Sequence, residues 1–413
     1  MITTVVIVND TCEVIGGAAE VAIETAALLA NEGLKVFFVC SGGTPDKRLI
    51  DSRVEIKSTN MPLFLDDPNR LSGALRGLWS KAAKNLLEST LEKCPTGRTI
   101  VNIHSWTKGL SSSIFSACIA KNTPYVITVH DYFLCCPNGG FFNYQKGRQC
   151  GCNALSPKCL ACNCDRRSYA EKLYRMLRTL IQQHVLRKGT TWLAFLSSFS
   201  RDILEKHIKF KYNHFEIRNP IAVKTLQRDY CALNADYDLL YVGRVDQEKG
   251  VAELCSAAKK AGVRVVLAGS GEQFNRLRKQ YAEFDWLGWS DKNTINKYAA
   301  RSKLLVFPSL WYEVSPLSVL EIQQATGIPS LVSSLCAASE QVVDDISGSQ
   351  FNPLDEDDFI LKINYALSHR YGTRKEISEI AESLSGNVEL YIKELITMFE
   401  QVNHKASTFF GER

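Results

Sequence analysis

Short β-branched runs alternate with stretches of helical period along most of the chain, and the alternation starts twice. The first series holds "TTVVIVND", "LKVFFVC", "RTIVNIHSW", "YVITVHDYF" and "TWLAFLSS"; the second holds "YDLLYVGRV", "VRVVLAGSG", "FDWLGWS", "KLLVFPS" and "IPSLVSS". Such alternation builds parallel βαβ units. Between the series, "RNPIAV" (residues 218–223) carries a proline that interrupts local structure. At 413 residues the chain also exceeds what one hydrophobic core usually supports. The expectation is an α/β protein of two doubly wound Rossmann-like domains, residues 1–218 and 219–385, with strand ends facing a ligand-binding cleft. Residues 386–413 read as an amphipathic helix, with Leu390, Ile392, Leu395 and Phe399 on one stripe, able to pack on either domain.

Composition narrows the function classes. With 45% apolar and 23% charged residues and no long uncharged stretch, the chain reads as neither disordered nor membrane-spanning. A net charge of +5 is mild for this length and implies no nucleic-acid coat. The opening "MITTVVIVND" lacks the basic start of a targeting signal and reads as a first strand. Fourteen cysteines without such a signal point to a reducing, cytoplasmic setting.

Several strand ends carry chemistry. Gly16 and Gly17 follow the first strand and lead into an alanine-rich helix whose free N–H groups suit an anion; tight turn geometry explains a glycine pair equally well. In "GRVDQEKG", Arg244 and Lys249 follow a strand and suit a diphosphate, unless they are merely solvated. Gly269 and Gly271 sit in the turn "VLAGSGEQF", where backbone can approach a nucleotide, and Leu287 lies in "WLGWS", beside groups that could flank a base or fill a core. His104 and His130 end two strands of the first half, well placed for polar contact with a ligand. In "WYEVSPLSVLE", Glu313 precedes a helix entered through Pro316, and Glu321 lies more than a turn inside it, past Leu317 and Ser318. Each carboxylate can accept paired hydroxyl hydrogen bonds; alternatively Glu313 favours the helix dipole and Glu321 faces solvent.

Together, Gly16-Gly17, His130, "GRVDQEKG" and the two glutamates after "FPS" resemble the retaining GT-B glycosyltransferases that use nucleotide sugars, of the family 4-like type that builds bacterial surface polysaccharides. The resemblance runs through most of the chain, and its one visible departure is a helix "EIQQATGIP" one residue longer than usual. It implies donor binding by Gly16, Gly17, Arg244, Lys249, Gly269, Gly271, Leu287, Glu313, Leu317, Ser318 and Glu321. It implies further that His130, Glu313, Arg244 and Lys249 act at the reacting centre, and it puts His104 and Tyr132 on the acceptor side. No catalytic metal is implied, because basic side chains meet the leaving diphosphate; the Asp-x-Asp at Asp236 to Asp238 reads as a turn before a strand. The implied acceptor is a glycan on a polyprenyl diphosphate. Rival readings are a nucleotide-sugar epimerase or phosphorylase of the same fold and a metal-stabilised nucleic-acid-binding protein.

Residues 132–168 form a cysteine-rich insertion. Its C-x-C and C-x2-C spacings suit a structural zinc, although not in a standard finger register, and resemblance to similar insertions selects Cys136, Cys152, Cys159 and Cys164. Next comes a segment in which Asp165 could cap a helix, with Tyr169, Leu173, Leu177 and Leu180 on one side and Arg167, Lys172, Arg175 and Arg178 around the other. That helix is expected either to present its basic face to solvent as an ordinary domain helix or to rest on an anionic membrane surface, at the inner face of the cytoplasmic membrane.

Overall fold

The computed structural model describes residues 1–221 and 235–411, with side chains to residue 406. The end of "RNPIAV", at Ala222 and Val223, and the last two residues of the terminal segment lie outside the described residues. Numbered along the chain, the strands are β1 (Thr4–Val8), β2 (Lys35–Cys40), β3 (Glu55–Ser58), β4 (Thr99–Ile103), β5 (Tyr125–Val129), β6 (Phe142–Asn143), β7 (Arg148–Gln149), β8 (Thr191–Phe195) and β9 (Tyr212–Glu216). The second half adds β10 (Tyr237–Val242), β11 (Val265–Ala268), β12 (Asp285–Gly288), β13 (Ser302–Phe307), β14 (Ser330–Ser333) and β15 (Gly348–Phe351). The helices needed below are α1 (Gly17–Asn31), α2 (Arg70–Leu78), α3 (Tyr169–Leu186), α4 (Leu317–Thr326) and α5 (Val388–Gly411).

Two parallel sheets result, ordered β3-β2-β1-β4-β5-β8-β9 and β12-β11-β10-β13-β14-β15. In each, the first strand of the half sits between the second and the fourth, so the order of strand addition reverses between the parallel neighbours β1 and β4 and between β10 and β13. Loops leaving those paired strands diverge to opposite faces, and the gap they leave is where open α/β sheets bind ligands. Strands at these centres are buried on both faces: β1 and β4 are buried throughout. Residues such as Val5 and Ile7 have no exposed surface, and each stabilises the fold by about 1.5–3 kcal/mol through burial.

The chain passes between the halves twice, at adjacent points. Ile221 N donates to Gly386 O at 3.2 Å and Gly386 N to Asn219 O at 3.2 Å. A side chain at Gly386 would meet Asn219 O at 2.8 Å, so only glycine lets the crossings lie so close. Beyond the second crossing, α5 packs on the first half. Tyr391, Leu395, Met398 and Phe399 join the core around β1 and β4, and Tyr391 Oη bonds Thr25 Oγ1 at 2.7 Å.

Within the insertion, β6 and β7 form a short antiparallel hairpin. The insertion reaches the other half. Arg166 pairs with Glu272 and stands 3.6 Å from Asp246, and Gly140 abuts Trp311 so closely that a Cβ would fall 2.5 Å from the indole. Asp165 does not cap α3. Ser168 does, accepting from Glu171 N at 3.2 Å, while Asp165 accepts from Arg167 N and pairs with Arg175 at 3.3 Å. Nor are the leucines of α3 turned inward and its basic face outward: Lys172 is fully buried, and Leu173, Leu177 and Leu180 are exposed. Asp236 to Asp238 is not wholly a turn either, since Tyr237 and Asp238 open β10. Asp238 holds Arg264 N and Lys303, and Asp236 holds Arg301.

Candidate active site at the two switch points

A cavity of about 280 Å³ opens where the two sheets face each other. Gly17 and Ala18 come from the loop after β1, His130 from β5, Gly243 and Lys249 from the loop after β10, and Glu313 and Leu317 to Ser318 from the loop after β13 and the start of α4. A larger cavity of about 470 Å³ beside the crossings shares Leu196, Asn219, Ser315, Pro316 and Leu317 with it, so the two are parts of one cleft. The chemistry lies in the smaller part, where the lysine, the histidine and a helix N-terminus meet.

Gly16 precedes α1 without any side-chain cap, and its backbone is extended (φ 165°), a conformation open to any residue. A Cβ at Gly16 or Gly17 would touch nothing within 4 Å. Tight geometry therefore does not explain the pair. What it does is leave the uncapped N–H groups of α1 open to the cleft, where the helix dipole favours an anion.

Lys249 and Glu313 are brought together from β10 and β13. Lys249 ends a single 3-10 turn closed by Gly250 in the left-handed region (φ 69°), where a Cβ would overlap Pro308 O at 1.9 Å; glycine lets the two loops meet. Lys249 Nζ donates to Glu313 Oε1, lies 5.2 Å from the centre of the Trp311 ring, and is 16% exposed against 13% for Glu313. Ser309 Oγ also donates to Glu313, at 3.3 Å.

His130 belongs to a buried chain of polar groups. Asn102 Nδ2 donates to Thr128 Oγ1 at 2.9 Å, which turns Asn102 Oδ1 towards His104 Nε2 at 2.8 Å. His104 Nε2 must then carry the proton, leaving Nδ1 as acceptor for His130 Nε2–H at 2.9 Å. His130 Nδ1 is left as an acceptor on the residue that lines the cleft. Burial pushes the His130 imidazolium down to about 3 and His104 well below the usual range, so both rings are neutral near pH 7.

Other candidates stand further off. Arg244 pairs with Asp246 and, at 3.1 Å, with Glu248, at the edge of the loop. Gly269 and Gly271 do not line the cavity, but a Cβ would strike Gly243 O at 1.7 Å from the first and Val245 O at 2.5 Å from the second, so they hold the β11 turn against the β10 loop. Leu287 packs on the core beneath β10, and Glu321 pairs with Lys292 at 3.2 Å on the outer part of α4. His104 is buried behind His130. Tyr132 is also buried, 6.4 Å from Tyr312 across the cleft; its hydroxyl, like Trp311 Nε1 and Asn219 Oδ1, lacks a hydrogen-bond partner among the described residues, as groups that meet a ligand do. Helix α4 does run to Thr326, ending on Gly327 in the left-handed region (φ 63°).

The cysteines are not gathered as a zinc site. Among the described residues no three His, Cys, Asp or Glu side chains are placed to hold a metal. Backbone N–H groups of Phe141, Asn138 and Gly140 take up Cys136, Asn138 Nδ2 donates to Cys164 Sγ at 3.2 Å, and burial pushes the Cys164 thiol up to about 12. The chain's thiols that lie within the described residues are all free.

Asn102 and Thr128 are absent from the sequence-based candidates. Their signal is a polar residue two positions before each histidine in otherwise apolar strands, which puts it on the histidine's own face.

Residues 226–384 match the family model described as glycosyl transferases group 1. A sequence search of curated proteins returns no match. Among solved structures, sucrose-phosphate synthase from Thermosynechococcus elongatus is similar at TM-score 0.66 and 14% identity, covering 97% of this chain and 99% of that one. HepE of Anabaena, solved in complex with UDP, gives 0.64 and 13%, covering 96% and 100%. WaaB, a lipopolysaccharide outer core galactosyltransferase, gives 0.62 and 17%, covering 96% and 99%. The chain thus has the GT-B fold along its length, and its residues 226–384 are similar to the glycosyl transferases group 1 family.

Proposed function

We propose that the protein transfers a sugar from a nucleotide-sugar donor to a glycan acceptor with retention of configuration, in the assembly of a bacterial surface polysaccharide such as O-antigen or capsule on a polyprenyl-diphosphate carrier. The observation that carries this reading is the meeting of Lys249 and Glu313 opposite the uncapped start of α1 in one cavity. In this reading the α1 N–H groups and Lys249 hold the donor diphosphate and offset the charge that grows on it as the glycosidic bond breaks. Glu313, released from part of its lysine contact, accepts hydroxyl hydrogen bonds from the donor sugar, and His130 Nδ1 accepts another. Arg244, at the rim, adds charge beside the phosphates. Glu313 is the only carboxylate lining the 280 Å³ cavity among the described residues, and it is tied to Lys249, which argues against a covalent glycosyl-enzyme and for attack on the leaving-group side.

The test is a ligand-detected binding and hydrolysis screen across nucleotide sugars, starting with uridine conjugates because HepE is solved with UDP-glucose. It is repeated with Glu313→Ala and Lys249→Ala. Binding of one donor class that weakens in both variants is expected; equal turnover in both would discard the assignment. NMR of the first product formed reads the anomeric outcome directly.

A further inference from the structure

Helix α3 wears its apolar stripe on the outside. Tyr169, Leu173, Leu177 and Leu180 are 39%, 39%, 47% and 51% exposed, while the polar residues Lys172, Thr179, Gln182 and Gln183 share the inward face with Met176, Val185 and Leu186. Three of these inward residues are hydrogen-bonded there: Lys172 Nζ donates to the carbonyls of Cys159, Leu160 and Cys162, Thr179 Oγ1 donates to Arg175 O at 2.9 Å, and Gln182 accepts from Trp106 Nε1 at 2.7 Å and donates to Phe133 O at 2.9 Å. An ordinary surface helix keeps such a row of leucines against the core. Nor is the stripe alone. Tyr174 Oη donates to Ala74 O at 2.7 Å, tying α3 to α2, which adds Leu71 and Leu75 at 68% and 57% exposure. Tyr169 Oη bonds Leu160 O at 2.6 Å, and that leucine is 47% exposed. A patch of this kind spread over two helices marks an interaction surface.

Its rim is cationic. Arg70 opens α2, Lys158 and Arg167 precede α3, and Arg187 and Lys188 follow it, all exposed. The sole acid between residues 169 and 188 is Glu171. A second copy docking through the same patch would set this rim against itself, because a two-fold contact is self-complementary. A sheet of anionic head groups over an apolar interior complements both the rim and the stripe.

We propose that the α2–α3 face docks on an anionic lipid bilayer, the leucines entering the interfacial layer and the cations meeting head groups. No helix among the described residues is long and apolar enough to cross a membrane, so this contact is peripheral. The proposal deepens the function proposed above, whose lipid-linked acceptor lies in such a surface, but its test needs no donor chemistry. The full chain is floated with phosphatidylcholine vesicles with and without phosphatidylglycerol, at low and high salt. Flotation is expected only with phosphatidylglycerol, decreasing with salt. Leu173→Asp with Leu177→Asp should weaken it at least about tenfold, and Arg187→Glu with Lys188→Glu several-fold. Failure of the wild type to float, or equal flotation of the leucine variant, overturns the proposal. So does a wild-type dimer, by light scattering, that the leucine variant splits without any vesicle binding. Loss of nucleotide-sugar binding with flotation intact would strike the proposed function alone.

Discussion

The two halves wind their sheets in one order yet furnish their switch points differently. After β1 the chain lines the cavity with Gly17, Ala18 and the bare amides of α1; after β10 and β13 it offers a lysine and a glutamate already joined. The first half thus supplies a fixed dipole that needs no counterpart, whereas the second supplies charges too enclosed to stand alone. Pairing keeps either from being buried unpartnered, which is the costly state.

The largest effect should come from the charged half. Glu313→Ala or Lys249→Ala is expected to reduce kcat/KM about 100-fold or more, and the double variant to lose little beyond either single one, because the two act as a unit. Steady-state kinetics in a double-mutant cycle would decide, and additive losses would break the idea of a joint device.

The neutral half should show itself through acid. His104 and His130 have folded pKa values below the unfolded value of about 6.5, so the unfolded chain binds more protons. Their contribution is complete above that pH and is lost as pH falls through 6.5 towards 3, by at most about 1.4 kcal/mol per pH unit for each ring. Thermal denaturation across that window would measure it, and His104→Gln should flatten the slope. A rate limb near 6.5 that disappears in His130→Gln would contradict a permanently neutral ring.

Gly17→Val is expected to raise the donor KM about tenfold with Tm unchanged, since the side chain has open space within the protein but enters the anion's path. A fall in Tm instead would make the glycine a folding device. Smallest is Arg166→Ala, which removes a partly exposed pair with Glu272 worth about 0.2–1 kcal/mol, read as a change in Tm.

Legibility followed apolar composition. Strands buried on both faces read clearly as apolar runs, but "EIKS", "YNHFE" and "GSQF" did not, and these are β3, β9 and β15, the outer strands of their sheets, short and polar as edges are. The loop glycines and the glutamates after "FPS" stood out because close approach and charge are written in single residues. The Lys249–Glu313 contact spans 64 positions and depends on how two loops converge, which periodicity does not encode. The outward leucines of α3 misled because an amphipathic pattern gives the angle between faces without saying which one meets the core.

The paired crossings at Asn219 and Gly386 carry a further consequence. Two adjacent tethers leave the halves a single line about which to swing, and any swing must draw Arg166 away from Glu272 and peel Gly140 off Trp311. The rate at which spent nucleotide escapes would then be governed by how fast the insertion lets go, far along the chain from the pivot itself.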